Sequence, residues 1–240
     1  MKKQFAILLG LALMVFSAGA LAQTSKDSRE LSSFRAVKVA NSIEAELVKG
    51  TRNHIEITAS GVDVGDVETE VKKQQLIVGL SHGNFGSNTV KVTITYVDIE
   101  EVEALTGAKV FVKNVIENKS VTLRAYTNSY LEAKVRAAKL DLETSTNGKI
   151  FIEGKAEDLI LEAFTKSEIS GPDLIVENAQ VRTNTAANST ITVNNSIKGS
   201  AATAGKVWFH GEPKLVDVKS NTGGEISHMK RAEKESSKDN

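Results

Sequence analysis

The chain has 240 residues, with 30 Lys plus Arg against 30 Asp plus Glu, no cysteine and two prolines. These numbers exclude a disulfide framework, a large basic field for nucleic acid, and a lipid anchor attached through cysteine. Hydrophobic residues make up 40% of the chain and aromatics only 5%, with Val, Ile and Thr abundant, a bias toward pleated strands around a buried core.

The first segment reads as a secretory signal peptide over residues 1–22. Lys2 and Lys3 precede an apolar run from Phe5 to Phe16, and Ala20-Leu21-Ala22 offers a small-x-small cleavage site before Gln23. The run is too short to span a bilayer comfortably. Cleavage would remove Lys2 and Lys3, leaving 28 basic against 30 acidic residues, a net charge of −2. The expected compartment is therefore outside the cytoplasm: periplasm, outer-membrane surface or extracellular space, with no transmembrane anchor. Residues 23–33 are polar and read as a flexible leader.

From Phe34 to residue 101 the period is two. Phe34-Arg-Ala-Val-Lys-Val-Ala40, Ile43-Glu-Ala-Glu-Leu47, His54-Ile-Glu-Ile-Thr58, Gln75-Leu-Ile-Val78 and Val90-Lys-Val-Thr-Ile-Thr-Tyr96 alternate apolar with polar. Turn-formers separate them, including Asn41-Ser42, Gly61, Gly65-Asp66 and His82-Gly-Asn-Phe-Gly86. Alternation of this kind predicts strands, here an irregular N-terminal β region.

A repeat follows over residues 102–228. Rung starts at Val102, Val121, Leu140, Leu159, Ala179, Ile197 and Val216 are 19, 19, 19, 20, 18 and 19 residues apart. The positions two and four residues on are apolar or small. Six residues on, Thr recurs as Thr127, Thr146, Thr165, Thr185, Thr203 and Thr222, and a second apolar column reads Val110, Leu131, Ile150, Ile169, Ile191, Val207 and Ile226. A repeat this short cannot bury its own apolar face, so stacked coils must share one core. The prediction is an all-β fold: a single-stranded, right-handed parallel β-helix (β-solenoid) of about seven coils. At about 4.8 Å per coil the stack is roughly 30 Å tall. Residues 229–240 are charged and polar and read as a disordered tail.

This arrangement resembles the auto-transporter adhesin head GIN domain family, found in exported proteins of Bacteroidetes and relatives. The resemblance rests on Phe34-Arg-Ala-Val-Lys-Val-Ala-Asn-Ser-Ile-Glu-Ala-Glu-Leu-Val-Lys-Gly50, on Val67-Glu-Thr-Glu-Val-Lys-Lys-Gln-Gln-Leu-Ile-Val78, and on the β repeats after them. It covers about residues 34–228. Where members often carry Gly-Ser-Gly at the rung turns, this chain has Thr106-Gly107-Ala108 and Ser145-Thr146-Asn147. The resemblance implies a β-helical fold and an adhesin or cell-surface role, and it supplies no catalytic residues.

The residues themselves offer little chemistry. The acids are mostly single, set between apolar neighbours as Glu143 and Glu162 are, with Glu100-Glu101 at a turn. His54, His82, His210 and His228 have no metal-ligand spacing and form no recognisable Ser/His/Asp set. No catalytic residue, metal or cofactor is predicted. The candidate binding face consists of Phe111, Phe151 and Trp208 beside the second apolar column, with Tyr126 and Phe164 in an equivalent outward place before the turn. Exposed rings would suit sugar rings or a protein partner, whereas covered rings would be packing. The Thr column reads as a turn ladder whose hydroxyls satisfy backbone groups, with ordered-water binding as the alternative. The resulting expectation is an exported, non-catalytic, adhesin-like module binding a glycan or a surface protein, with the oligomeric state left open. The alternatives are a carbohydrate-active β-helix enzyme, favoured if acids converge with Lys or Arg in a groove, and a structural component of the cell envelope.

Overall fold

In the computed structural model, residues 24–81 and 88–230 are described. The proposed signal peptide, the His82–Gly86 turn and residues 231–240 of the proposed tail lie outside the described residues. The strands in chain order are β1 (Thr24–Glu30), β2 (Ala36–Val39), β3 (Glu44–Lys49), β4 (His54–Ser60), β5 (Val67–Lys72), β6 (Gln75–Leu80), β7 (Thr89–Tyr96), β8 (Glu101–Ala104) and β9 (Lys109–Val112). They continue with β10 (Ile116–Tyr126), β11 (Tyr130–Ser145), β12 (Lys149–Ala163), β13 (Glu168–Thr183), β14 (Asn188–Ala201), β15 (Lys206–His210), β16 (Leu215–Ser220) and β17 (Glu225–His228). Among the described residues the only helical element is a single 3₁₀ turn, Val64–Asp66, capped by the Asp63 carboxylate accepting from the Gly65 N–H at 2.7 Å. No helix among them is long and apolar enough to cross a membrane.

The chain forms a β-solenoid of about seven turns. Strands β10 to β14 each pair in parallel with the strand one coil on, and each is long enough to run along one side of the coil, bend and continue along the next. Because one residue stacks on its counterpart, the apolar columns are continuous. Val121, Leu140, Leu159, Ala179 and Ile197 lie in register and are 0–4% exposed. Such burial is the main stabilising term in a coil with no disulfide.

The register departs from the sequence reading at two places. Leu123 pairs with Val102 and Ala125 with Ala104, so the first coil starts at Glu100, two residues before the predicted start. Thr106 then falls in line with Thr127, and Thr stands at the turn of every coil of the repeat. In the second column, Ile169 pairs with Ser189 and Ser189 with Val207, so Ser189 takes the place predicted for Ile191. Ile191 is also buried, but two residues further along, opposite Phe209.

Each turn holds two successive left-handed residues. The Thr φ angles lie between 46° and 54°, and the residues after them between 58° and 77°. A β-branched residue rarely adopts this conformation, since Cβ crowds the following carbonyl. What fixes the turn is a main-chain ladder through it. The N–H groups of Gly107, Asn128, Asn147, Lys166, Ala186 and Ala204 donate to the carbonyls of Thr127, Thr146, Thr165, Thr185, Thr203 and Thr222 at 2.9–3.1 Å. The hydroxyls were expected to do this work. Instead, Thr146 Oγ1 meets Ser145 Oγ at 3.3 Å and Thr185 Oγ1 donates to Asn184 Oδ1 at 2.9 Å. The residue after each left-handed pair is small: Ala108, Ser129, Gly148, Ser167, Ala187, Gly205 or Gly224. At Gly148 a Cβ would lie 2.0 Å from the Ala125 carbonyl oxygen, which leaves no room for a side chain.

The N-terminal region is more regular than predicted. β2 pairs in parallel with β8, and β3 with β9, so these two strands form a coil below the first repeat. Asn41 and Ser42, at φ 61° and 59°, make the same left-handed turn there. On the other side β2 pairs with β6 and β3 with β7. The layer built by β6 and β7 therefore lies beyond the layer built by β2 and β3, out of chain order. Antiparallel strands close this end: β5 on β6, β4 on β7 and β1 on β4. Thr24–Glu30 of the predicted flexible leader is thus a paired strand. Arg29 holds it down, donating to the carbonyls of Val67 (2.7 Å) and Val64 (3.0 Å) and to Thr69 Oγ1 (2.9 Å).

Candidate functional site

The strand after each turn presents alternate residues outward, because side chains on a strand alternate. In β9, β11 and β12 the inward residues Val110, Leu131 and Ile150 are fully buried, while Phe111, Glu132 and Phe151 form the outward column beside them. The neighbouring outward column holds Lys109, Tyr130 and Lys149. Tyr130 sits diagonally between the two phenylalanines. Its ring centroid is 5.5 Å from Phe111 (tilted by 44°) and 5.2 Å from Phe151 (29°, stacked). Three half-buried rings thus cross three coils in contact, at separations favourable for aromatic pairs.

Polar groups border the rings. The Tyr130 hydroxyl donates to Glu132 Oε2 at 2.9 Å. Partial burial, then that hydrogen bond, then the nearby negative charge push the phenol up to about 12. Lys134 Nζ lies 2.9 Å from Glu153 Oε2, and this contact raises the Lys134 ammonium. Lys113 Nζ stands 5.4 Å from the centre of the Phe111 ring and 2.8 Å from Glu46 Oε1, a cation placed near the ring.

A concavity of about 310 Å³ opens beside Phe151, lined by Val112, Glu132, Lys134, Glu153 and Pro172 among others. Its wall comes from an irregularity in β13. Phe151 pairs with Ser170 but Gly154 with Leu174, so β13 carries one extra residue over this stretch. Pro172 falls inside that bulge, where a missing N–H costs no ladder bond.

The structure brings together only part of the predicted face. Phe111 and Phe151 meet through Tyr130, which the sequence reading missed. Trp208 belongs to the same outward column but three coils on, past Ser170 and Thr190, with Lys206 Nζ 5.8 Å from its ring. Tyr126 and Phe164 lie in another column, on the far side of the Thr turn, with Ser145 between them. Tyr126 is held protonated well above its ordinary range by burial first and then by its hydrogen bond to Glu143. The Arg182 guanidinium is 5.7 Å from the Phe164 ring. All five rings are half-buried rather than covered.

A second polar grouping depends on the unexpected strand β1. Ser28 Oγ lies 3.2 Å from His54 Nε2, and Glu30 Oε1 is 3.2 Å from His54 Nδ1. The Glu30 contact has ion-pair distance but not hydrogen-bond alignment, so the imidazole lacks an orienting partner. The Ser28 N–H is already taken by Asp27 Oδ1. This set solvates a buried histidine at a strand pair and lacks the features of an activated nucleophile. Glu100 and Glu101 are likewise occupied, by Arg35 and Arg124. Among the described residues, no three His, Asp or Glu side chains gather as a metal site.

A family model described as "Putative auto-transporter adhesin, head GIN domain" matches residues 33–213. No curated protein matches the sequence. Among solved structures, a "putative adhesin" of Parabacteroides merdae superposes with a TM-score of 0.71 at 18% identity, over 87% of this chain and 97% of that one. A "putative adhesin" of Bacteroides fragilis gives 0.78 at 14%, over 86% and 97%. A "putative lipid binding protein" of Parabacteroides distasonis gives 0.66 at 12%, over 87% and 98%. At these identities the likeness speaks for the fold alone.

Proposed function

The chain belongs to the auto-transporter adhesin head GIN domain family, and on that basis we propose that it is an exported, non-catalytic binding module of the cell surface or periplasm that takes a glycan on its outer face. The supporting observation is the contiguous line Phe111–Tyr130–Phe151 beside a concavity bordered by Glu132, Lys134 and Glu153. A sugar ring presents an apolar C–H face and a rim of hydroxyls. An aromatic ring with carboxylates and an ammonium next to it matches both. The rings need not move to bind, since their neighbours already hold them.

The test is a glycan array followed by titration calorimetry on any hit. Phe151→Ala and Tyr130→Ala should each weaken binding about tenfold or more. Trp208→Ala, three coils away, should leave it unchanged. Equal loss in all three variants, or none, would defeat this reading.

A second reading has one observation in its favour: Glu132, Lys134 and Glu153 share the same concavity, as a carbohydrate-active enzyme would require. Both carboxylates are exposed and already hold partners, Tyr130 and Lys134, whereas a general acid at neutral pH is usually buried. Release of reducing ends from the bound glycan, abolished in Glu153→Gln, would establish this reading over the first.

A further inference from the structure

The two ends of the stack are built differently. At the N-terminal end, antiparallel strands β5, β4 and β1 cover the last parallel layer. The apolar residues under them, Leu76, Ile94 and Ile57, are 0–1% exposed. The uncovered edges there, β1 and β5, carry Lys26, Asp27, Arg29 and Glu30, and Glu68, Glu70 and Lys72. Edges charged in this way resist pairing with another chain.

The C-terminal end has no such cover among the described residues. β16 pairs only with β14, and β17 only with β15. The inward column passes from Ile197, 0% exposed, to Val216, 50% exposed, and Leu215 beside it is 46% exposed. Val218 and Ile226 are only half-buried. One side of β16 therefore offers unpaired main-chain groups with apolar side chains at the mouth of the core.

We propose that a second copy of this chain closes this end, the two meeting tail to tail with β16 antiparallel to β16 of the second copy about a two-fold axis at Val218. Alternation and charge select this register. Inward residues must lie opposite inward residues, so the axis must pass through a residue rather than between two. An axis at Asp217 or Lys219 sets like charges face to face. The axis at Val218 sets Asp217 opposite Lys219 of the second copy, twice by symmetry, with Val216 opposite Ser220. Directly opposed unlike charges stabilise an antiparallel pair, and like charges weaken it. The covered, charged N-terminal end cannot accept the same surface, so the contact is isologous and closes at two copies instead of growing into a filament.

The experiment is analytical ultracentrifugation of residues 23–240 over a concentration series at low ionic strength. A reversible monomer–dimer equilibrium is expected. Asp217→Lys and Lys219→Asp should each weaken self-association by about tenfold or more. The double variant D217K/K219D should recover it, and an equimolar mixture of the two single variants should form heterodimers. Both residues are exposed, so the fold should tolerate the changes. A monomer at every concentration, or a dimer that neither reversal weakens, would overturn the proposal. So would β16 amides protected from exchange in a monomer and exposed once residues 231–240 are removed, since the chain's own tail would then cover the end.

Discussion

Ser189 is the polar member of an otherwise aliphatic column, between Ile169 and Val207. It is 1% exposed, and its hydroxyl has no hydrogen-bond partner. An unpaired buried hydroxyl costs about 1–3 kcal/mol. Ser189→Ala removes that cost and leaves a void of roughly 12 Å³, worth only about 0.3 kcal/mol. The variant should therefore be more stable by about 1–2 kcal/mol, raising Tm by about 2–8 °C for a chain of this size. Urea unfolding followed by far-ultraviolet circular dichroism measures the change, and emission from Trp208, one coil on, reports whether the stack unfolds as one unit. Ile191→Ala, at a fully buried site, should instead cost about 2–5 kcal/mol. If Ser189 faced outward, its replacement would be silent within about 0.5 kcal/mol. A silent result would refute the register, and a loss of more than about 1 kcal/mol would mean that the hydroxyl holds a partner.

Further outcomes can be measured on the same chain. Tyr130 has a folded-state pKa of about 12 against an ordinary 10.0, so its contribution to stability is present below pH 10 and is lost as pH rises toward 12. A spectrophotometric phenol titration should lose one late component in Tyr130→Phe, whose stability above pH 10 should fall less steeply than that of the unmodified chain. Gly199→Val should destabilise by at least about 2 kcal/mol in denaturant titration. A Cβ there would sit 1.8 Å from the Val181 carbonyl oxygen, at φ 138°. Arg29→Ala removes three bonds from β1 to the cap, and hydrogen exchange should show faster opening of Ser25 to Arg29 while amides of β12 and β13 stay protected.

The solenoid was legible because stacking repeats the same physical demand at the same spacing. Leu140 over Leu159 and Leu142 over Leu161 are such positions. The two register errors share one cause: an apolar residue was preferred over the constant ten-residue offset between the two columns of a coil, which Glu100 keeps although it lengthens the first step to 21 residues. Glu100 opens the first coil without an apolar side chain, and Ser189 fills an aliphatic column with a hydroxyl, although each lies ten residues before or after its counterpart strand position as in every other coil. The coil built by β2 and β3 was hidden for a different reason. Its partners lie 39 to 65 residues away in sequence, so no short period announces it. Strand β1 has no apolar face to betray it, only a half-exposed polar edge. Tyr130 was missed because its column is otherwise occupied by lysine, glutamate and asparagine. Its importance comes from diagonal contact across coils, which a column-by-column reading does not see.

The out-of-order layer at the N-terminus has a kinetic consequence. A stack laid down in chain order can grow from either end, one coil at a time, and can also unwind from either end. Here the β2–β3 coil is clasped between β6–β7 on one side and β8–β9 on the other. It gains both neighbours only after the chain has been made through residue 112, and releasing it means disrupting all three layers together. Unravelling should therefore start at β17 and run backward to a final, indivisible block. The molecule behaves like a zipper stitched shut at one end, and a protease or a pulling force would meet its resistance in one direction only.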